Sequence, residues 1–151
     1  MILRTLLFLI INFLGLYLGI ILSGDGGTSE WYSSLTKAPW EPDGWVFGAA
    51  WTIIMICFAF YMSISCQYRF RKKLIKLYVA QLILNISWNP IFFNLHYVLL
   101  GLITILSLTF IIGFILFSYW RELKLNSVLI LPYLIWLIIA SSLNGYIFFN
   151  N

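Results

Sequence analysis

Two sets of side chains have the types and spacing to do chemistry. Asn85, Trp88, Asn89 and Phe92 recur at i, i+3, i+4 and i+7, so on a helix they share one face. Tyr133, Trp136, Ala140 and Asn144 recur at i, i+3, i+7 and i+11 and form a second stripe. Both lie in strongly apolar surroundings, where unpaired polar groups are expensive, so both stripes are expected to face inward. Two roles fit them. The amides can act as glue, hydrogen-bonding neighbouring helices and nothing more. Alternatively, the rings wall a cavity whose few polar donors orient a large, flat, mostly apolar ligand. Stripe geometry alone leaves these two even.

Other chemistries lack their residues. The single histidine and two cysteines make no metal cluster. Cys57 and Cys66 would lie about 13 Å apart along one helix, too far to bridge, and read as small packing residues. No acid–base pair, nucleophile triad or glycine-rich phosphate loop is visible, so conventional catalysis, haem ligation and nucleotide binding have no support. No ionisable residue falls in the middle of an apolar stretch, which disfavours a pump, an ion channel or a voltage sensor.

The elements that must position the stripes follow from composition. Of 151 residues, 62% are hydrophobic and 9% charged, against roughly 45–50% and 25% in soluble domains. A soluble fold of this length cannot hide so much apolar surface, so the solvent is lipid. The expected class is an all-α integral membrane protein, a five-transmembrane-helix bundle in a single domain over residues 1–151. Charges separate five apolar stretches, Thr5–Leu22, Trp45–Cys66, Leu77–Phe93, Tyr97–Trp120 and Ser127–Phe149, each near the ~20 residues of a spanning helix. The third is the shortest. The first, at 18 residues, exceeds the ~7–15 residue core of a secretory signal and is read as a retained helix.

Orientation follows from the cations. Eight of the nine Lys and Arg residues (Arg4, Arg69, Arg71, Lys72, Lys73, Lys76, Arg121 and Lys124) fall on one side of the alternating spans, and only Lys37 on the other. This positive-inside pattern predicts a cytoplasmic N-terminus and an outer C-terminus. The net charge of +4 is therefore topological and not a nucleic-acid footprint. The Arg69–Lys76 cluster could also bind anionic headgroups, with topology the simpler explanation.

The long loop, residues 23–44, opens with Ser23-Gly24-Asp25-Gly26-Gly27 and closes with Pro39, Pro42 and Gly44, which oppose regular helix. Its Trp31, Tyr32 and Trp40 suit an interface, either as bilayer anchors or as parts of a lid. Gly15-Leu16-Tyr17-Leu18-Gly19 is a GxxxG pattern, which serves packing within the chain or dimerisation equally well. No internal repeat is apparent, and five spans argue against an inverted-repeat transporter in one chain.

Three separated motifs then resemble one family. Trp31-Tyr32, Lys37-Ala38-Pro39-Trp40-Glu41-Pro42, Trp45-Val46-Phe47-Gly48 and Trp51-Thr52 resemble the first-loop and second-helix signature of the translocator protein family, the TspO or tryptophan-rich sensory protein group that includes the peripheral benzodiazepine receptor. Leu84-Asn85, Trp88, Pro90 and Phe92-Phe93 resemble its third-helix motif, and Pro132-Tyr133-Leu134, Trp136, Ala140 and Leu143-Asn144 its fifth.

The resemblance implies a five-helix bundle, often a homodimer, that binds porphyrins such as protoporphyrin IX, sterols and benzodiazepine-type ligands in a pocket capped by the first loop. It implies no required cofactor and a bacterial cell membrane as the location. By position, Trp51 and Trp136 match the paired pocket tryptophans, Asn85 and Asn89 the third-helix amides, Ala140 the small wall residue, Trp40 the loop tryptophan and Asn144 the fifth-helix asparagine. With the stripes, the expected ligand-binding set is Trp40, Trp51, Met55, Asn85, Trp88, Asn89, Phe92, Tyr133, Trp136, Ala140 and Asn144. There are departures: Asp43 replaces the second proline of a loop pair, Ala49 a frequent proline, and Met55 a common aromatic. No basic residue follows Tyr146, as the animal sterol pattern needs, although Leu116, Tyr119 and Arg121 fit that loose pattern. The expected function is tetrapyrrole binding, with sensing or transport as its use. Light-dependent porphyrin degradation and a regulatory scaffold are the alternatives.

Overall fold

A segment in hydrocarbon must satisfy its own backbone, and a helix does this within one stretch of chain. The computed structural model describes residues 1–151 and contains helices and no strands. Of 118 backbone hydrogen bonds, 97 lie within the regular elements, so most peptide groups are satisfied inside their own helix. The helices are α1 (Ile2–Leu22), α2 (Glu30–Ser34), α3 (Gly44–Ser65), α4 (Arg71–Asn89), α5 (Val98–Leu123) and α6 (Leu131–Asn150). Five are long. Short turns of other pitch fill the gaps: 3-10 at Gly26–Thr28 and Lys124–Ile130, and a π turn at Pro90–Asn94.

The boundaries differ from the apolar stretches where charge and helix part company. α4 starts at Arg71, six residues before the expected Leu77, because Lys and Arg are good helix formers and carry the helix beyond the apolar run. It gives way at Pro90, which has no N–H to donate, and the chain continues as a π turn. α6 starts at Leu131 instead of Ser127. Lys124, at a left-handed φ of 49°, ends α5, and a 3-10 segment intervenes. Pro132 then sits in the first turn of α6, where a missing N–H is harmless. The loop over residues 23–44 is also more regular than its glycines and prolines suggest. Ser29 caps α2 by accepting the Tyr32 N–H at 3.1 Å.

The long helices contact one another in the order α3, α1, α4, α5, α6, and α6 returns to α3. The outside is apolar: Leu6, Ile83, Phe110, Phe117 and Ile138 are exposed, whereas Asn12, Gln81, Asn85 and Asn144 are buried. This inverts a soluble protein and identifies lipid as the solvent. Three segments are long and apolar enough to cross a membrane: Ile2–Thr28, Gly44–Ser65, and Val98–Asn150, which contains both α5 and α6. α4 falls outside that criterion because its first turns carry Arg71, Lys72, Lys73 and Lys76.

The GxxxG pattern is spent inside the chain. A Cβ on Gly15 would come within 2.8 Å of Leu82 Cδ1, and one on Gly19 within 2.7 Å of Asn89 Nδ2. These glycines let α1 approach α4 closely. A neighbouring lock joins three helices. Asn12 donates to the Met55 carbonyl at 3.0 Å and accepts the Tyr78 hydroxyl at 2.7 Å, tying α1 to α3 and α4.

Two outcomes are expected in detergent. Gly19→Val should lower the melting temperature more than Gly19→Ala, since the alanine Cβ meets chiefly the far end of the Asn89 side chain, which can swing aside, whereas the added methyls need more room between α1 and α4; equal effects would remove the close-approach argument. Asn12→Leu should cost about 0.6–1.7 kcal/mol in wild type and less in a Tyr78→Phe background, where only its bond to the Met55 carbonyl remains to be lost, a coupling read from a double-mutant cycle.

Candidate functional site

α4 supplies the spine of the site. Tyr78, Gln81, Asn85, Trp88 and Phe92 alternate spacings of three and four, which keeps one face turned toward α6 and α3 for the whole helix and into the π turn. Against this face the partners come in layers. Nearest the middle, Tyr133 of α6 donates its hydroxyl to Gln81 Oε1 at 2.8 Å and accepts Asn85 Nδ2 at 2.7 Å. The Tyr133 ring is buried between Phe58, edge-on at 5.3 Å, and Trp51, edge-on at 5.9 Å. Three turns along α6 from Tyr133, Asn144 accepts the Trp88 indole N–H at 3.1 Å and donates to the Val98 carbonyl at 3.3 Å. Gly101 of α5 makes room here, because a Cβ would meet Phe92 at 3.1 Å and Asn144 at 3.3 Å.

The next layer is a roof. Trp88 stacks on Phe92 at 5.2 Å, and Phe92 and Phe93 meet edge to face at 5.0 Å. The long loop lies over them. Tyr32 of α2 packs its ring on Phe92 and Phe93, and Trp31 packs edge-on to Phe92 while stacking on His96 at 4.1 Å. The loop is braced within itself once and tied to the C-terminal end of the chain twice. The Tyr32 hydroxyl donates to Glu41 Oε1 at 2.7 Å, with Lys37 Nζ 3.9 Å from the same oxygen and 4.1 Å from the Tyr32 ring centre. Trp40 donates its indole N–H to Ser142 Oγ at 3.1 Å and packs edge-on to Tyr146. Asn151 pairs with both backbone groups of Thr36, at 2.8 and 3.2 Å. Burial, with the bond to Glu41 and its negative charge, holds the Tyr32 phenol above its ordinary pKa. The neutral donor form therefore survives into alkaline solution, and its contribution is lost only as pH rises through that raised value.

The expected residues are thus distributed. Asn85, Trp88, Phe92, Tyr133 and Asn144 come together along the α4–α6 seam, with Trp51 against Tyr133 from α3. Trp136 is buried on α6 but pairs with Phe47 at 5.3 Å, so the two tryptophans pack on different rings. Ala140 is half-buried among the residues packed on the same core. Met55 is buried, its carbonyl occupied by Asn12. Asn89 is turned toward Gly19 of α1, its amide donating to the Asn85 carbonyl at 3.3 Å, away from the seam. Trp40 lies in the loop, 54% exposed. Gln81, Tyr78 and Asn12 were not among the expected residues. The first two continue the α4 stripe backward by the same spacing, and Asn12 is an amide inside an otherwise apolar run; both were signals in the sequence.

Rings and amides fill the seam and satisfy one another. Two surface concavities lie away from it, one lined by His96–Leu100 and Ile103, the other by Gln67–Arg69, Arg71 and Lys72. A ligand at the seam therefore has to displace side chains or the loop above them. What it would meet is the indoles of Trp51 and Trp88, the phenyl rings of Phe92 and Phe93 and the phenol of Tyr133, with Asn85, Asn144, Gln81 and the Trp88 N–H as donors and acceptors.

Comparison with known proteins agrees with this arrangement. The TspO/MBR family model matches residues 7–149. The chain is 32% identical over 139 residues to the Tryptophan-rich protein TspO of Chlorobaculum tepidum, covering 87% of this chain and 88% of that one. It is 30% identical to the Tryptophan-rich sensory protein of Cereibacter sphaeroides, covering 76% and 73%. It is 28% identical to the human Translocator protein, covering 91% and 84%. The matched region takes in the α4–α6 seam, the loop above it and all five long helices, and the chain belongs to the TspO/MBR family of integral membrane proteins.

Proposed function

We propose that the five long helices cross the membrane as one bundle, N-terminus in the cytoplasm, and that the α4–α6 seam opens to bind tetrapyrroles such as protoporphyrin IX and related hydrophobic ligands beneath the long loop. The observation that carries this reading is the layered seam itself. Indole and phenyl faces match a flat macrocycle, and the Asn85–Tyr133–Gln81 and Trp88–Asn144 bonds can be exchanged for bonds to its polar substituents. Relatives named as a sensory protein and as translocators fit a receptor whose loop reports or releases a ligand. The basic end of the bundle, with eight of nine cations, would face the cytoplasm. The loop, packed through the Tyr32 ring and tied down at Trp40 and Thr36, serves as the lid.

A scaffold reading has one observation in its favour, namely that the seam's polar groups already satisfy one another. Ligand binding separates the two. Protoporphyrin IX titrated into detergent-purified protein should quench tryptophan fluorescence saturably and raise the melting temperature, since a ligand selective for the folded state must stabilise it. Trp51→Phe combined with Trp136→Phe should weaken that binding at least tenfold. If neither porphyrin nor a benzodiazepine-type ligand shifts the melting temperature, the scaffold reading takes over. For the lid, Asn151→Ala removes both hydrogen bonds that tie Thr36 of the loop to the end of α6, about 0.5–1.5 kcal/mol each. Porphyrin release measured by stopped flow should then quicken roughly tenfold or more; an unchanged off-rate would leave the loop as an anchor only.

A further inference from the structure

At the opposite end from the loop, a groove opens at the junction of α3 and α4, lined by Gln67, Tyr68, Arg69, Arg71 and Lys72. Three of these five side chains are cationic, and none has a carboxylate partner: the chain's one salt bridge is Lys37 with Glu41. Arg4 is brought to the same end, because Thr5 bonds Ser63 Oγ at 2.8 Å near the end of α3. α4 starts beside the groove with no side-chain cap and no acidic residue in its first turn, which instead carries Arg71, Lys72 and Lys73. Cations there oppose the helix dipole, so the free arrangement is unfavourable and an anion would relieve it. The walls are held in place. Tyr68 stacks on Phe70 at 5.4 Å and Phe70 on Tyr119 of α5 at 4.1 Å, which fixes the connection against the bundle.

A topological signal needs positive charge on one side only. It does not need that charge gathered round a concavity at an uncapped helix end. The outer face of α4 adds a second feature. Ile75, Val79 and Ile83 are exposed at spacings of four and run away from Lys72 as one apolar track. We propose that this groove binds the phosphate of an anionic membrane lipid, Arg69 and Arg71 meeting its oxygens and Lys72 adding a point charge, with an acyl chain along Ile75, Val79 and Ile83. Guanidinium forks match phosphate geometry, and the track distinguishes a lipid from free phosphate.

The test uses the full chain purified in a neutral detergent, with thermal unfolding followed as phosphatidylglycerol, phosphatidylcholine or inorganic phosphate is added. Phosphatidylglycerol should raise the melting temperature saturably, while the other two leave it nearly unchanged. Arg69→Gln with Arg71→Gln should bind phosphatidylglycerol roughly thirty-fold more weakly, as two cations near a membrane surface at about 1 kcal/mol each require. Arg121→Gln with Lys124→Gln removes the same charge outside the groove and should bind as wild type. The proposal is overturned if phosphatidylcholine stabilises equally, if inorganic phosphate gives the whole effect, or if the two double variants lose equally. The wild-type comparison among the three additives stands even if a variant does not fold.

Discussion

The Tyr133 hydroxyl, held between Gln81 and Asn85, is the interaction on which the rest of the structure turns. In a low-dielectric interior a phenol and two amides have no water to fall back on, so they must find each other. Their bonding sets the rotation of α4 about its own axis relative to α6. Once that rotation is set, the alternating three- and four-residue spacing carries Trp88 to Asn144 and Phe92 under the loop, and in the other direction Tyr78 to Asn12. α1 and α3 are drawn in by Asn12, and α1 settles against α4 because Gly15 and Gly19 present no side chain there. One bonded trio thus orders most of the helix faces.

The same economy bears on the contest between glue and pocket. Hydrogen bonds between membrane helices contribute only about 0.6 kcal/mol each on average, because the separated helices find other partners. Trading Trp88–Asn144 for a bond to a ligand is therefore nearly neutral. The large term is the apolar area a flat ligand covers between indole and phenyl faces. Polar residues that hold the closed seam together can hold a ligand in the open one, and the two roles do not compete for different residues. On the proposed reading the loop is the part that would separate the states, since its bonds to Ser142 and Asn151 join it to the C-terminal end of the chain.

Much of this was legible in the sequence. Hydropathy and charge are properties of runs of residues, so five long helices and an all-α membrane protein could be read from composition and from the placement of nine cations. Stripe spacing brought Asn85, Trp88, Phe92, Tyr133 and Asn144 to the right helix faces. Helix ends were less visible, because an apolar run marks the oily part of a helix and not its whole length, as the basic first turns of α4 demonstrate. Asn89 shows a second limit. It lies one residue from Trp88 and within the same broad stripe, yet 100° of helix rotation turns it to Gly19. Which edge of a stripe faces which neighbour depends on the order of helices round the bundle, and that order is a tertiary fact. Trp136 shows a third limit, since its pairing with Phe47 in place of Trp51 depends on how far α3 slides along α6.

The two ends of the molecule are chemically opposite, and this opposition gives the seam a direction. The loop end is aromatic, with its one ion pair at Lys37–Glu41 and the Tyr32 hydroxyl on the same carboxylate. The other end gathers cations without carboxylate partners, and there Phe70 stacks on Tyr119. On the proposed reading a flat apolar ligand would meet the indole and phenyl faces beneath the loop, at the roof of Phe92 and Phe93, and the unpaired cations of the other end would lie in the headgroup region.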